Sequence, residues 1–264
     1  MRSLFLLALL LPFRSRAQQV TIVPEFPQRG QQVTVTWHPE TGAPVKGPVT
    51  LVFTYSNLYE LSLKMSLQPS DSGWTTSFVL PRYATFATFY VQAGDRKITP
   101  SAGGHYELAV YAAGKTPVKN GYLYKGYSLS AQWGRSPHLA ADQAAMYRKE
   151  LSLYPDNYEA KIRLYQYEIS QASSDPHRRD SLLRQAHAVI AAKFDSDPTT
   201  MGNLNYVTMG YLILGENSRL DSIRRIVMER YPHLPIAKEL VVDVIRKEKD
   251  TARMIARLEE ELKD

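Results

Sequence analysis

The sequence predicts two domains of different class, an all-β sandwich followed by an all-α helical repeat, with a cleavable leader ahead of both. Three observations carry this reading. Apolar and polar residues alternate with a period of two between Gln19 and Tyr111; apolar residues recur at three- and four-residue steps from Ser136 onward; and a Tyr-Pro turn with similar flanking residues occurs twice in the second half. The boundaries that follow are 1–17 for a signal peptide, 18–111 for the sandwich, 112–135 for an aromatic linker and 136–264 for the helical domain.

The leader comes first. Met1-Arg2 is basic, Leu4 to Pro12 is an apolar run, and Ser15 and Ala17 put small residues at the two positions a signal peptidase reads. The chain is therefore expected to be exported, soluble, and periplasmic or extracellular. No later stretch approaches the roughly 20 apolar residues that spanning a bilayer needs, so no transmembrane segment is expected. There are no cysteines, which excludes a disulfide framework, thiolate metal sites, thiol catalysis and a lipid-modified cysteine. Loss of Arg2, Arg14 and Arg16 with the leader would reduce the net charge of +6 to +3. Nucleic acid is not an expected partner: Arg178-Arg179 and Arg224-Arg225 stand beside Asp180 and Asp221 and read as solvated helix faces.

Within 18–111, Val33, Val35 and Trp37 alternate with threonines. Val49, Leu51, Phe53 and Tyr55 form a second such run, and Leu61, Leu63, Met65 and Leu67 a third. Trp74 to Leu80, Thr85 to Val91 and Tyr106 to Val110 continue the series. Turn-forming Pro69 to Gly73, Gly94-Asp95 and Gly103-Gly104 separate them. Six or seven short strands, each with one apolar face, are buried by packing two sheets face to face, and an immunoglobulin-like arrangement is expected.

In 112–135, Gly114, Pro117, Asn120-Gly121, Gly126 and Gly134 predict irregular backbone, while Tyr122, Tyr124, Tyr127 and Trp133 make the stretch too aromatic for a free tether. These four rings are expected to lie across the seam between the domains, with a glycan-stacking surface as the alternative.

The helical domain is organised around Leu151 to Ala160. Ser136-Pro137 is a helix-start signal, and Leu139, Met146, Tyr147, Leu151 and Tyr154 fall on one stripe. Pro155 ends that helix, and Asp156 with Glu159 has the spacing of a capping box for the next, whose buried face starts at Ala160, Leu164 and Ile169. Tyr231, Pro232 and Ala237 repeat Tyr154, Pro155 and Ala160 at the same offsets. A weaker copy lies at Phe194, Thr200 and Leu204, giving spacings of about 40 and then 37 residues. The Leu-x-x-Tyr-Pro-Asp-Asn-x-x-Ala pattern resembles the junction between tetratricopeptide repeats, helix-turn-helix modules that mostly bind other proteins. Tyr165, Gln143 and Glu150 depart from that pattern, standing where small residues are usual, so the domain is read as tetratricopeptide-like.

The order of parts resembles the N-terminal region of bacteroidete periplasmic thioredoxin-like (TlpA-type) proteins. The likeness rests on Val20-Thr-Ile-Val-Pro24, Gly30, Val33 to Thr36, Gly73-Trp74, Phe78 to Pro81, Gly104 to Tyr111 and the Tyr-Pro turns. In that family a thioredoxin domain with a Cys-x-x-Cys pair lies C-terminal to such regions. This sequence has no cysteine, so the resemblance implies only an accessory role in docking, spacing or substrate presentation.

No catalytic residue, cofactor or metal site is expected. The histidines His38, His105, His138, His177, His187 and His233 show no metal-ligand spacing, no nucleophile elbow is present, and Asp195 with Asp197, or Glu259 with Glu260, read as cap and surface residues. The expected function is a non-enzymatic scaffold that binds a protein or peptide partner in a groove of the helical repeat, with carbohydrate binding as the alternative.

Overall fold

The computed structural model describes residues 19–40, 45–197 and 200–261. The expected signal peptide lies outside these residues. The chain divides into two compact units, one ending at Val118 and one starting at Lys119. The first is built of strands and the second of helices.

Among the described residues the first unit has nine strands: β1 (Val20–Val23), β2 (Gln32–Trp37), β3 (Val49–Ser56), β4 (Lys64–Ser66), β5 (Gln68–Ser70), β6 (Gly73–Val79), β7 (Phe86–Ala93), β8 (Arg96–Ile98) and β9 (Tyr106–Ala109). All pairings are antiparallel. One sheet has the order β1-β2-β6-β5; in the other, β4-β3-β7 is extended by β8 and β9, which pair with different stretches of β7. A single core joins the sheets, with Val33, Val35 and Phe78 from one and Leu51, Phe53 and Phe89 from the other; the Phe53 and Phe78 rings meet edge to face at 6.4 Å.

The third expected strand is the largest departure. Only Lys64–Ser66 of the run from Leu61 to Leu67 is a strand. Leu63 is exposed, and Leu67 is buried where the chain crosses from one sheet to the other. Alternation alone could not distinguish one long strand from two short ones in different sheets. Pro69 sits in β5 at a sheet edge, where its missing N–H costs no ladder bond.

The second unit contains, among the described residues, α1 (Gly121–Trp133), α2 (Leu139–Leu153), α3 (Tyr158–Gln171), α4 (Pro176–Ser196), α5 (Met201–Leu214), α6 (Asn217–Arg230), α7 (Pro235–Ile245) and α8 (Thr251–Glu261). Successive helices pack on one another, and α3 touches both α4 and α5.

The stretch expected to be an irregular linker splits between the units. Val118 belongs to the β core and its N–H bonds to Val110 O. Residues 121–133 are helix α1. Asn120-Gly121 is indeed a backbone break, since Asn120 has φ of 73°, but it marks a helix entrance. Two glycines make this segment a poor helix by propensity; packing overrides that. Gly126 lets the helices approach closely, because a Cβ there would lie 2.8 Å from the Tyr147 ring. Tyr124 and Tyr127 pack in the cluster formed by Leu123, Tyr147 and Ala160.

Helix α2 also starts later than expected. Ser136 Oγ accepts from His138 N at 3.3 Å, and the helix begins at Leu139. At the next junction the N-cap is Asn157, whose side chain accepts from Ala160 N, and Asp156 instead pairs with Lys119 at 2.8 Å. The cap falls one residue later than expected and the reciprocal box is not formed: the residue three positions after Asn157 is Ala160, which has no side-chain acceptor, and Glu159 bonds with Tyr127 instead.

Two predictions follow from this packing. Gly126→Ala gains helix propensity but forces a methyl into a buried ring, so denaturant titration should show a net loss of about 1–2 kcal/mol. The second concerns His105, which is buried. Lys97 Nζ donates to its Nε2 at 3.2 Å, so Nδ1 carries the proton toward Thr54 Oγ1 at 2.7 Å. Burial, and then the Lys97 charge, hold its pKa below the ordinary 6.5. The unfolded chain therefore takes up the proton first, and the stability involved is complete above 6.5 and lost as pH falls through the lower folded value. Urea midpoints measured downward from pH 7 should fall more steeply for the wild type than for His105→Gln.

Candidate functional site

On α2, Tyr147, Glu150, Leu151 and Tyr154 recur at helical spacing, so the stripe that buries Tyr147 carries Glu150 inward as well. Glu150 is fully buried. Its Oε1 accepts from Asn120 N at 2.7 Å and Asn157 Nδ2 at 2.8 Å; its Oε2 accepts from Tyr122 N at 3.1 Å and Leu123 N at 3.4 Å. Asn157 Nδ2 donates also to Asn120 Oδ1 at 2.8 Å. The first N–H groups of a helix have no partner inside it and carry the positive end of its dipole, so a carboxylate is the matching cap. One side chain thus ties the start of α1 to the α2–α3 turn.

These three helices enclose a cleft of about 500 Å³. Tyr127 of α1, Gln143 and Tyr147 of α2, and Arg163, Gln166 and Tyr167 of α3 line it. Arg163 Nε donates to the Tyr127 hydroxyl at 3.0 Å and its guanidinium lies 5.1 Å from that ring's centroid. The same hydroxyl donates to Glu159, which lies 4.0 Å from Arg163. Gln143 Nε2 donates to Gly126 O at 3.1 Å, and Arg148, 5.7 Å from the Tyr167 centroid, pairs with Glu168 at 3.2 Å.

The guanidinium that lines the cleft is therefore matched by a carboxylate. Burial, and then Glu159, push the Tyr127 phenol far above its ordinary pKa; burial pushes Tyr147 up to about 12. Both stay protonated through the neutral range. What the cleft presents is ring faces, hydroxyls and side-chain amides, which suits recognition by stacking and hydrogen bonding. A second cleft, at one end of the β unit, is lined in part by Trp37, Glu40, Val45, Lys46 and Arg96. Among the described residues, no group of three or more His, Asp or Glu could hold a metal ion.

The residues singled out from sequence distribute as follows. Tyr154 and Tyr231 are the C-caps of α2 and α6, with φ of −132° and −133°, and their N–H groups bond to Glu150 O and Val227 O. Their own carbonyls accept from Asn157 N and Leu234 N, both at 3.0 Å, so the two turns run the same course. Pro155 and Pro232 are exposed in these turns, and Ala160 and Ala237 are buried just after them. The turn near Thr200 differs: Thr200 caps α5, and Asn203 Nδ2 bonds back to Asp197 O at 2.8 Å.

The four aromatic residues do not share a face. At 100° per residue, Tyr122 and Trp133 fall on one side of α1 and Tyr124 and Tyr127 on another. Lys149 covers Tyr122 at 5.7 Å, Trp133 is exposed, and of the four only Tyr127 lines the cleft. The sequence marked Glu150 only as a departure from the repeat pattern and Asn157 only as part of that pattern, and gave no role to Arg163. A charged residue on the apolar stripe of α2 was the available signal for the first of them.

No protein-family model, curated protein or solved structure matches the chain, so the site is read from its own geometry.

Glu150→Gln keeps the shape but sets an NH2 group against N–H donors. It should destabilise the helical unit by about 2–4 kcal/mol, more than a lost surface ion pair, read by urea denaturation followed by circular dichroism. Asp156→Asn, at the exposed pair beside it, should leave the urea midpoint nearly unchanged in the same assay.

Proposed function

We propose that the chain is an exported, non-enzymatic binding module whose helical unit takes an extended segment of a protein partner in the cleft between α1, α2 and α3. The observation that carries this is the cleft itself: three consecutive helices, tied by a buried carboxylate, present aromatic faces and side-chain amides around about 500 Å³ with internally matched charge. Side-chain amides offer donor and acceptor together, the complement of a peptide backbone.

The helical unit is tetratricopeptide-like in this reading. Support comes from the matching turns at Tyr154 and Tyr231, each followed by a buried alanine, and from α3 packing on both α4 and α5. The β unit is an immunoglobulin-like spacer, supported by the order β1-β2-β6-β5 facing β4-β3-β7 and by the crossing at Leu67. A role beside a thioredoxin-like partner follows from the resemblance of the sequence to such proteins. Carbohydrate binding by the tyrosines is the weaker reading, because Tyr122 and Trp133 lie on a different side of α1 from Tyr127.

Capture from periplasmic extract on the immobilised full chain tests the proposal. Gln166 is exposed at the cleft and makes no core contact, so Gln166→Trp blocks the cleft without threatening the fold. A saturable partner retained by the wild type and weakened at least about tenfold by this substitution, worth about 1.4 kcal/mol, is the expected result. Equal capture by both proteins, or no saturable partner, contradicts it. Recovery of a protein with a Cys-x-x-Cys pair would support the accessory role.

A further inference from the structure

The sequence contains a single Asn-Gly pair, Asn120-Gly121, and it stands at the entrance of α1. In such a pair the glycine nitrogen can reach the asparagine side-chain carbon, because glycine has no Cβ to shield the approach. A bond from Gly121 N to Asn120 Cγ would form as the Cγ–Nδ2 bond breaks, and ammonia would leave with the amide proton. Water then opens the cyclic imide at either carbonyl. Opening at Cγ leaves aspartate; opening at the main-chain carbonyl leaves isoaspartate, with Cβ added to the main chain.

The folded geometry opposes ring closure. Asn120 has ψ of 2°, which eclipses Gly121 N with the nitrogen of Asn120 itself. It therefore stands roughly a third of a turn from Cβ about the Cα–C bond, and attack requires it to swing until it eclipses Cβ. Glu150 grips both sides of that bond. It accepts from Asn120 N at 2.7 Å before it, and from Tyr122 N at 3.1 Å and Leu123 N at 3.4 Å after it. The rotation would also swing Asn120 O away from Tyr124 N, which donates to it at 2.9 Å. Asn157 Nδ2 fixes the side chain, donating to Asn120 Oδ1 at 2.8 Å.

We infer that Asn120-Gly121 is a site of self-modification gated by the first turn of α1. The closed turn holds the pair unreactive, each opening exposes it to ring closure, and the product keeps the turn from closing again. The last step follows from what Asn157 does. Its Nδ2 bridges Asn120 Oδ1 and Glu150 Oε1, both at 2.8 Å. Aspartate at position 120 sets a second carboxylate on that one donor, beside a buried like charge. Isoaspartate lengthens the main chain between the amides that Glu150 holds. Either product loosens α1, and with it the Tyr127 wall of the cleft. The fold thus carries a one-way clock, set by how often a single helical turn opens. The modification is read by mass, so it stands whether or not the cleft takes a partner.

Ageing of the full chain in mildly alkaline buffer, with conversion of Asn120 followed by peptide mass spectrometry, tests the inference. In the folded wild type the residue should convert at least about tenfold more slowly than in the same chain unfolded in urea. At low urea, conversion should track amide exchange at Tyr122 rather than exchange in the middle of α2. Glu150→Gln, shown to be helical by circular dichroism, should convert at least about fivefold faster than the wild type. Asp156→Asn, at the exposed pair with Lys119, should match the wild type. The modified protein, separated by ion exchange, should exchange its Tyr122 and Leu123 amides faster than the unmodified chain. Equal rates in the folded and unfolded chain overturn the inference. So does conversion that does not follow exchange at Tyr122, a folded Glu150→Gln that converts no faster, or a modified protein whose first-turn amides stay slow. Where Glu150→Gln does not fold, the comparison of wild-type conversion with Tyr122 exchange decides.

Discussion

Glu150 has no contact with solvent, and its two carboxylate oxygens face four N–H donors drawn from the start of α1 and from the α2–α3 turn. Taking a carboxylate out of water costs several kcal/mol unless its acceptor sites are filled, and here they are filled by groups that would otherwise lack partners. The arrangement is mutually binding. Helix α1 begins with a left-handed asparagine and two glycines within six residues, so propensity alone would not hold it. Glu150 needs the first-turn amides as much as they need it. The walls of the cleft stand where this exchange sets them, with Gly126 admitting the Tyr147 ring between the helices.

The same rule recurs elsewhere in the molecule. His105 and Thr54 are joined on the β unit by a hydrogen bond that Lys97 orients from the other ring nitrogen, and Asn203 closes the end of α4 through carbonyls that the helix leaves unpaired. Tyr158 is the exception. Its hydroxyl is buried without a hydrogen-bond partner among the described residues, in the space left by Gly210. The Tyr158 ring packs with Ile162, Ile190 and Val207.

Much of the layout was legible because periodicity reports burial directly. Val33, Val35 and Trp37, and Val49, Leu51 and Phe53, point into the β core as their alternation requires, and Ala160 and Ala237 occupy matching buried positions after matching turns. What could not be read depends on contacts distant in sequence. The helix at residues 121–133 is concealed by its own composition and revealed only by Glu150, almost 30 residues away. The strand break at Leu67 depends on which neighbour each half meets, β3 or β6. The cleft was invisible for a similar reason: Tyr127, Tyr147 and Arg163 belong to three different helices, and nothing in their local sequence marks them as neighbours. Glu150 looked like a departure from a repeat pattern, yet it is the residue on which the first three helices depend.

Amide hydrogen exchange at Asn120, Tyr122 and Leu123, resolved residue by residue in the native protein, tests this dependence most directly. First-turn amides of a helix ordinarily exchange freely because they have no intrahelical acceptor. If Glu150 holds them, these three should exchange as slowly as amides in the middle of α2. Exchange at the rate of an open chain end, with α2 still protected, would show that the carboxylate does not secure α1 and would contradict the account.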